Sequence, residues 1–334
     1  MTMDPRPPFS HQLLLVAGTL VLLALVWKLA DVFVLAFGAI VVAVALRALV
    51  RRVERLGVPA RYSFMASLLL VLLAGVATIA WVGDPLAAQL SRLREGLPAA
   101  LDRMFAWMGT HRIGITALEY WESLQDDGLP WGRLLGVAGT AIGAMGMFAL
   151  IIFMGVFLAA DPRMYRDGFL RLFPKQQREA IAGALEQSAD GLRRWLLGQS
   201  ISMLYVGSAT ALGLLALGVP LALSIGLISG LLSFIPFIGA LAGGALAVLV
   251  AFMDGPATAM NVLILCVAIQ QVEGHVLIPL VQRWAVSLPP VLSLVSALVF
   301  GILFGIVGVL FATPMMVVLM ILVRSLYVER LEQQ

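Results

Sequence analysis

Charge is what this sequence most lacks. Only 12% of its 334 residues are Asp, Glu, Lys or Arg, and 61% are hydrophobic; a soluble domain carries roughly a quarter of its residues charged. Mean hydropathy is +1.00. The chain therefore belongs in a membrane. Its apolar runs are long and show no period-two alternation, so they are helices and not barrel strands. Cysteine is nearly absent too. Cys266 stands alone, which excludes an intrachain disulfide, and one Cys with three His builds no Cys/His zinc cluster. No Gly-rich loop ends in Gly-Lys-Ser/Thr, no His-Glu-x-x-His occurs, and the residues around Ser229 do not form Gly-x-Ser-x-Gly. Of His11, His111 and His275 only the last lies at membrane depth, which leaves little for an intramembrane serine protease. No enzyme, cofactor or metal ion is expected, and nucleic acid is not an expected partner. The net charge of +3 says little about partners, because basic residues in such a chain are orientation signals.

What the sequence has is a series of membrane-length runs. The first, about 12–29, is followed by no clear Ala-x-Ala site and is read as a retained span. The second, about 32–50, forms a tight hairpin with it through Lys28 and Asp31. A basic loop follows, with Arg47, Arg51, Arg52, Arg55 and Arg61, and then span three, about 64–82. Residues 84–136 hold five basic against seven acidic groups. Leu86, Leu90, Leu93, Leu97, Leu101, Met104 and Met108 recur there at steps of three and four, the mark of an amphipathic helix; a second short helix is expected over 115–124. Span four, about 135–159, ends at Asp161-Pro162. Residues 161–197 hold seven basic against five acidic groups. Ile181, Leu185, Leu192, Trp195 and Leu196 make one stripe of an interfacial helix leading into span five, about 197–217. By the positive-inside bias the two basic blocks are cytoplasmic and the acidic block is outside.

Beyond span five the lengths stop fitting. Residues 219–253 would make a straight helix of about 52 Å, too long for a hydrocarbon core of about 30 Å and too short for two spans. Ser233-Phe234-Ile235-Pro236-Phe237-Ile238-Gly239 sits near the middle, so a bent or re-entrant hairpin is expected. The stretch 289–323 poses the same problem and contains Gly301, Gly305, Gly308 and Pro314. Between them lies one ordinary span, about 257–280, carrying Gln270, Gln271, Glu273 and His275 ahead of Pro279. Gln270 and Glu273 are three apart, and Gln271 and His275 four apart, so each pair shares a helix face. Backbone freed at a break in lipid must be satisfied by protein or cavity water, and an ionisable residue at that depth is costly. Breaks beside buried polar groups suit a solute or ion site. Glu273 could exchange a proton or bind a cation there; equally, the Gln and Glu side chains could form an interhelical hydrogen-bond knot. The Gly-x-x-x-Gly pairs beginning at Gly139, Gly226, Gly239 and Gly301 read as helix-packing contacts.

The order Pro174, Gly198-Gln199, Ile235-Pro236-x-x-Gly239, Gln271-x-Glu273, Pro279, Leu288-Pro289, Gly301, Gly305, Gly308 and Pro314 resembles the autoinducer-2 exporter family of bacterial membrane proteins. The likeness covers most of the chain and is more specific over 170–315 than over 1–135. It implies eight spans, both termini cytoplasmic, an outer insertion between spans three and four, and no ATPase. Some members resemble exporters of the quorum-sensing molecule autoinducer-2, others sodium(lithium)/proton antiporters. This chain departs from the pattern in three places: His275 stands where Asn is common, Arg283 replaces a usual Gly, and Pro290 adds a second proline.

The resulting expectation is an all-α membrane protein of about eight transmembrane helices, with broken or re-entrant segments and an outer helical insertion. Spans one to three occupy 1–83, the extracytoplasmic amphipathic insertion 84–136, span four 137–160 and the cytoplasmic interfacial segment 161–197. Spans five to eight with the transport site occupy 198–325, and a cytoplasmic tail 326–334. The site is expected at Gln270, Gln271, Glu273, His275, Pro236, Gly239, Gly301 and Gly305. The protein is read as a secondary transporter or facilitator of the bacterial inner membrane, exporting a small polar solute. The alternatives are a sodium(lithium)/proton antiporter, whose partners would be a monovalent cation and the proton, and a non-transporting scaffold. The lipid bilayer is a partner in every case, and a homo-oligomer is compatible with all three.

Overall fold

The computed structural model describes residues 29–109, 131–235, 238–283 and 289–329. Among these residues all regular structure is helical. The elements are α1 (Ala30–Arg55), α2 (Ala60–Gly109), α3 (Trp131–Ala160), α4 (Pro162–Leu170), α5 (Lys175–Ala216), α6 (Ala222–Leu232), α7 (Ile238–Ala251), α8 (Pro256–Val272), a π-turn (Glu273–Leu277), α9 (Ile278–Gln282) and α10 (Pro290–Val323). Among the described residues five helices are long and apolar enough to cross a membrane, or six if the bent α3–α4 pair forms one span. Span one of the sequence reading lies outside the described residues, as do Gly139's packing contacts and the short helix expected over 115–124. The long apolar faces suit lipid: Leu69, Leu70, Leu72 and Leu73 are each about half exposed along α2.

Lipid gives helices no hydrophobic reason to associate, so close packing through small residues takes over. On α1 and α3, a Cβ on Gly155 would stand 2.6 Å from Val42 Cγ1 and 3.0 Å from the Ala39 carbonyl. At the end of this pair the Arg47 guanidinium donates to the Ala160 carbonyl at 3.0 Å, a cation on the open C-terminal end of α3. That bond brings the basic loop after α1 to the same end of the bundle as α4. Asp161 caps α4 by accepting from the Met164 N–H at 3.2 Å, and α3 and α4 meet at 86°.

Two helices run on where the sequence reading divides them. α2 spans 50 residues without a break, about 75 Å, so the span and the amphipathic stretch of 84–109 are one rod. The apolar repeat carries the helical register out of the span and past Pro85 and Pro98, which cost helix hydrogen bonds without ending the helix. Its far end packs on the corner between α7 and α8: Met104 and Trp107 lie against the buried cluster containing Phe252, and the Arg103 guanidinium donates to the Met253 carbonyl. Likewise α5 spans 42 residues, joining the interfacial helix to span five.

Residues 219–253 form the expected hairpin. α6 and α7 are short apolar helices joined through Ser233–Ile235 and packed on each other. α6 is pressed against α5 at a glycine seam: a Cβ on Gly226 would come 2.7 Å from the Gly207 carbonyl, and one on Gly230 2.8 Å from the Met203 carbonyl. α10 is also broken. Gly305 has φ 63° and ψ −148°, a conformation open to glycine alone. A Cβ on Gly301 would lie 2.8 Å from Val309 Cγ2, and one on Gly308 would run into the Phe300 carbonyl. Residues eight apart in a straight helix are separated by about 12 Å, so α10 doubles back at Gly305. The two hairpin tips share a core with α5, where Phe234, Phe304 and Val307 pack on a buried cluster that includes Trp195.

Candidate functional site

α5 and α8 meet through polar residues at matching spacing. Gln199 and Ser202 are three apart on α5; Gln270 and Glu273 are three apart at the end of α8, so each pair lies on one face. The Ser202 hydroxyl donates to Glu273 Oε1. One turn along α5, the Tyr205 hydroxyl donates to the Ile269 carbonyl at 3.4 Å. Gln199 Nε2 donates to the Ser233 carbonyl at 2.5 Å, satisfying backbone just past the end of α6, as a helix break in lipid requires.

Glu273 opens a π-turn. The Ile278 N–H reaches back to the Glu273 carbonyl, a five-residue step. Pro279 explains the widening, since a proline in a regular α-helix lacks a donor and drives its ring into the carbonyl four residues earlier. Single π-turns of this kind occur frequently at functional sites.

These groups border a cavity of about 910 Å³. Gln199, Ser202, Ser233, Gln270, Gln271 and Glu273 supply its main polar edge, and α10 adds Ser293 and Thr313. The rest of the wall is almost wholly apolar, with Leu241, Val248 and Leu249 from α7 facing Leu263 and Val267 from α8. Met104 of α2 reaches the same cavity. The native thiol of Cys266 lines it as well.

The structure thus brings Gln270, Gln271 and Glu273 of the predicted site to one cavity. His275 is exposed and outside its lining, its Nδ1 3.1 Å from the Gln271 carbonyl. Pro236 lies outside the described residues, although Ser233 and Ile235 before it line the cavity. Gly239 is buried behind the wall, where a Cβ would run into the Leu232 carbonyl. Gly301 and Gly305 form the turn of α10 and are not in the lining. Among the described residues no group of three or more His, Cys, Asp or Glu side chains could hold a metal ion. Ser202, Tyr205, Ser293 and Thr313 are absent from the sequence-predicted site. A signal for Ser202 existed: Gln199-x-x-Ser202 repeats the spacing of Gln270-x-x-Glu273 within another apolar helix. Thr313 and Ser293 had none, because only the fold of α10 brings them together.

Long apolar helices and two helical hairpins define a multi-pass helical membrane protein, with a cavity that has one polar edge. The chain belongs to the AI-2E family of transporters, which it matches over residues 15–327. It is 28% identical over 271 residues to the "Putative transport protein YueF" of Bacillus subtilis, covering 74% of this chain and 73% of the relative. Over 323 residues it is 25% identical to the "Putative transport protein YhhT" of Escherichia coli K12, covering 94% and 90%. It is 31% identical over 181 residues to the "Putative transport protein MT0215" of Mycobacterium tuberculosis, a match spanning 54% of this chain and 49% of that relative.

Proposed function

We propose that this protein is a secondary transporter or facilitator that exports a small polar solute through the cavity between α5, α7 and α8. The observation that carries this reading is the placement of Glu273, with Ser202 bonded to it and Gln270 beside it, on the wall of a cavity of about 910 Å³. That volume is in the range of small-molecule sites, roughly 300–1,000 Å³. A quorum-sensing signal such as autoinducer-2 is the cargo that the family's designation suggests. The breaks at Ser233–Gly239 and Gly305 supply points at which the cavity can change shape. We place the protein in the bacterial inner membrane with both termini cytoplasmic. The supporting feature is the shared end of the basic loop and α4, joined by Arg47 and the Ala160 carbonyl.

The second reading is sodium(lithium)/proton antiport with Glu273 as the exchanging group. It is favoured by a carboxylate held by the Ser202 hydroxyl at the edge of an apolar chamber. Purified protein in liposomes separates the readings. Solute flux independent of an imposed pH gradient supports the facilitator, and sodium or lithium flux that collapses with the gradient supports the antiporter. No flux of any metabolite or cation would overturn both and leave a scaffold role.

A further inference from the structure

The wall chemistry narrows the class of solute. Among the described residues that line the cavity, Glu273 is the one with a charged side chain; no Lys, Arg or His lies on the lining. An anionic ligand would face that carboxylate with nothing to balance it, whereas a cation would be matched. Ser202 engages the carboxylate, which offers about four acceptor positions, so capacity remains for a ligand. A solute with polar groups all round would press most of them against Leu241, Val248, Leu249 and Leu263, each unpaired group costing about 1–3 kcal/mol. A bare inorganic cation would leave most of the 910 Å³ without a partner.

The opening points the same way. Leu241, Leu263, Val267 and Ile278 line the cavity yet are 77%, 44%, 53% and 43% exposed. They lie on α7, α8 and α9, and the continuous α8–α9 rod is a candidate membrane span. The mouth between α7 and α8 is therefore apolar and borders a candidate membrane span, the position in which a solute dissolved in the bilayer would meet it.

We propose that the cavity binds lipophilic organic monocations that enter from the bilayer. The positive charge rests at Glu273, held in place by Ser202, and the apolar body lies along Leu241, Val248, Leu263 and Val267. This rests on the transporter reading of the same cavity and replaces its polar cargo with an amphipathic cation.

The test measures binding first and flux second. The protein is placed in phosphatidylcholine nanodiscs, rhodamine 6G is titrated in, and its fluorescence anisotropy is followed. Saturable binding is expected, with displacement by tetraphenylphosphonium. Choline, which has the charge without the apolar body, and triphenylphosphine, which has the body without the charge, are expected to compete poorly. Glu273→Gln is expected to weaken binding roughly ten- to a hundred-fold, the loss of a charge-assisted contact. Leu263→Trp, which fills the mouth and leaves Glu273 in place, is expected to abolish binding. This second variant keeps the test decisive if Glu273→Gln fails to insert. Absence of saturable binding, equal competition by triphenylphosphine, or full affinity in a folded Glu273→Gln protein would each overturn the proposal. Efflux of rhodamine 6G from proteoliposomes then tests the reading beneath it. Selective binding with no flux overturns the transporter and leaves the site; flux of a polar metabolite with no cation binding overturns the site and leaves the transporter.

Discussion

A carboxylate inside an apolar helix needs a partner that suits both its protonation states, and Glu273 has one in the Ser202 hydroxyl, which can donate or accept. If transport is proton-coupled, Glu273→Gln fixes the neutral form while keeping size and hydrogen bonding. Flux is then expected to lose its dependence on an imposed pH gradient, read as identical initial rates with the gradient present and collapsed. A Gln variant with unchanged gradient dependence would remove Glu273 from the coupling mechanism. Glu273→Ala has a different signature. It leaves the Ser202 hydroxyl without its acceptor, and about 1–3 kcal/mol of stability is expected to go, measured as a lower melting temperature in detergent. Gly239 is a matter of space. Because a Cβ there runs into the Leu232 carbonyl, even Gly239→Ala is expected to cost about 1–3 kcal/mol. Gly75, with open space around it, is the control: Gly75→Ala should melt no lower than the parent protein.

Among the elements, α10 carries the sharpest geometric statement. Its two arms meet only because Gly305 adopts a backbone conformation closed to other residues. Paired cysteines replacing Gly301 and Val309, in a Cys266→Ser background, are expected to cross-link readily under mild oxidation. A straight helix would hold them about 12 Å apart and give no cross-link. α2 makes the complementary case, a rod whose far end is fastened to the α7–α8 corner by Arg103 and Trp107. Arg103→Ala leaves the helix itself intact but removes that bond, so faster proteolysis near residues 100–109 is expected without loss of membrane insertion.

For the whole molecule, the prediction is one of sidedness. The acidic block of 84–136 and the basic block of 161–197 are expected on opposite faces of the membrane. In a Cys266→Ser background, a cysteine replacing Ser123 should react with an impermeant thiol reagent in intact spheroplasts, and one replacing Gln177 should not. Equal labelling at both would reject the orientation. The substitution of Cys266 is required because the native thiol lines the cavity and could report in its own right.

The sequence by itself determined the membrane environment, the all-helical class and the places where helices fail. Those properties are local. Low charge forbids a soluble core, hydrophobic runs of a given length must be helices in lipid, and the glycines and Pro279 act on their own few residues. Even Gln270 and Glu273 could be placed on one face from a spacing of three. Tertiary structure alone decided what each break is for. Ser202 is an ordinary polar residue of α5 until α5 packs beside α8 and sets its hydroxyl against Glu273. Gly301 and Gly305 look in sequence like the partners of Ser233–Gly239 in one site, yet the fold uses them to turn α10 and sends Ser293 and Thr313 to the cavity. The continuity of α2 and α5 was hidden for the same reason. A helix that leaves the bilayer changes its composition without changing its hydrogen-bond pattern. Composition marks the solvent around a residue, and only packing reveals its neighbours.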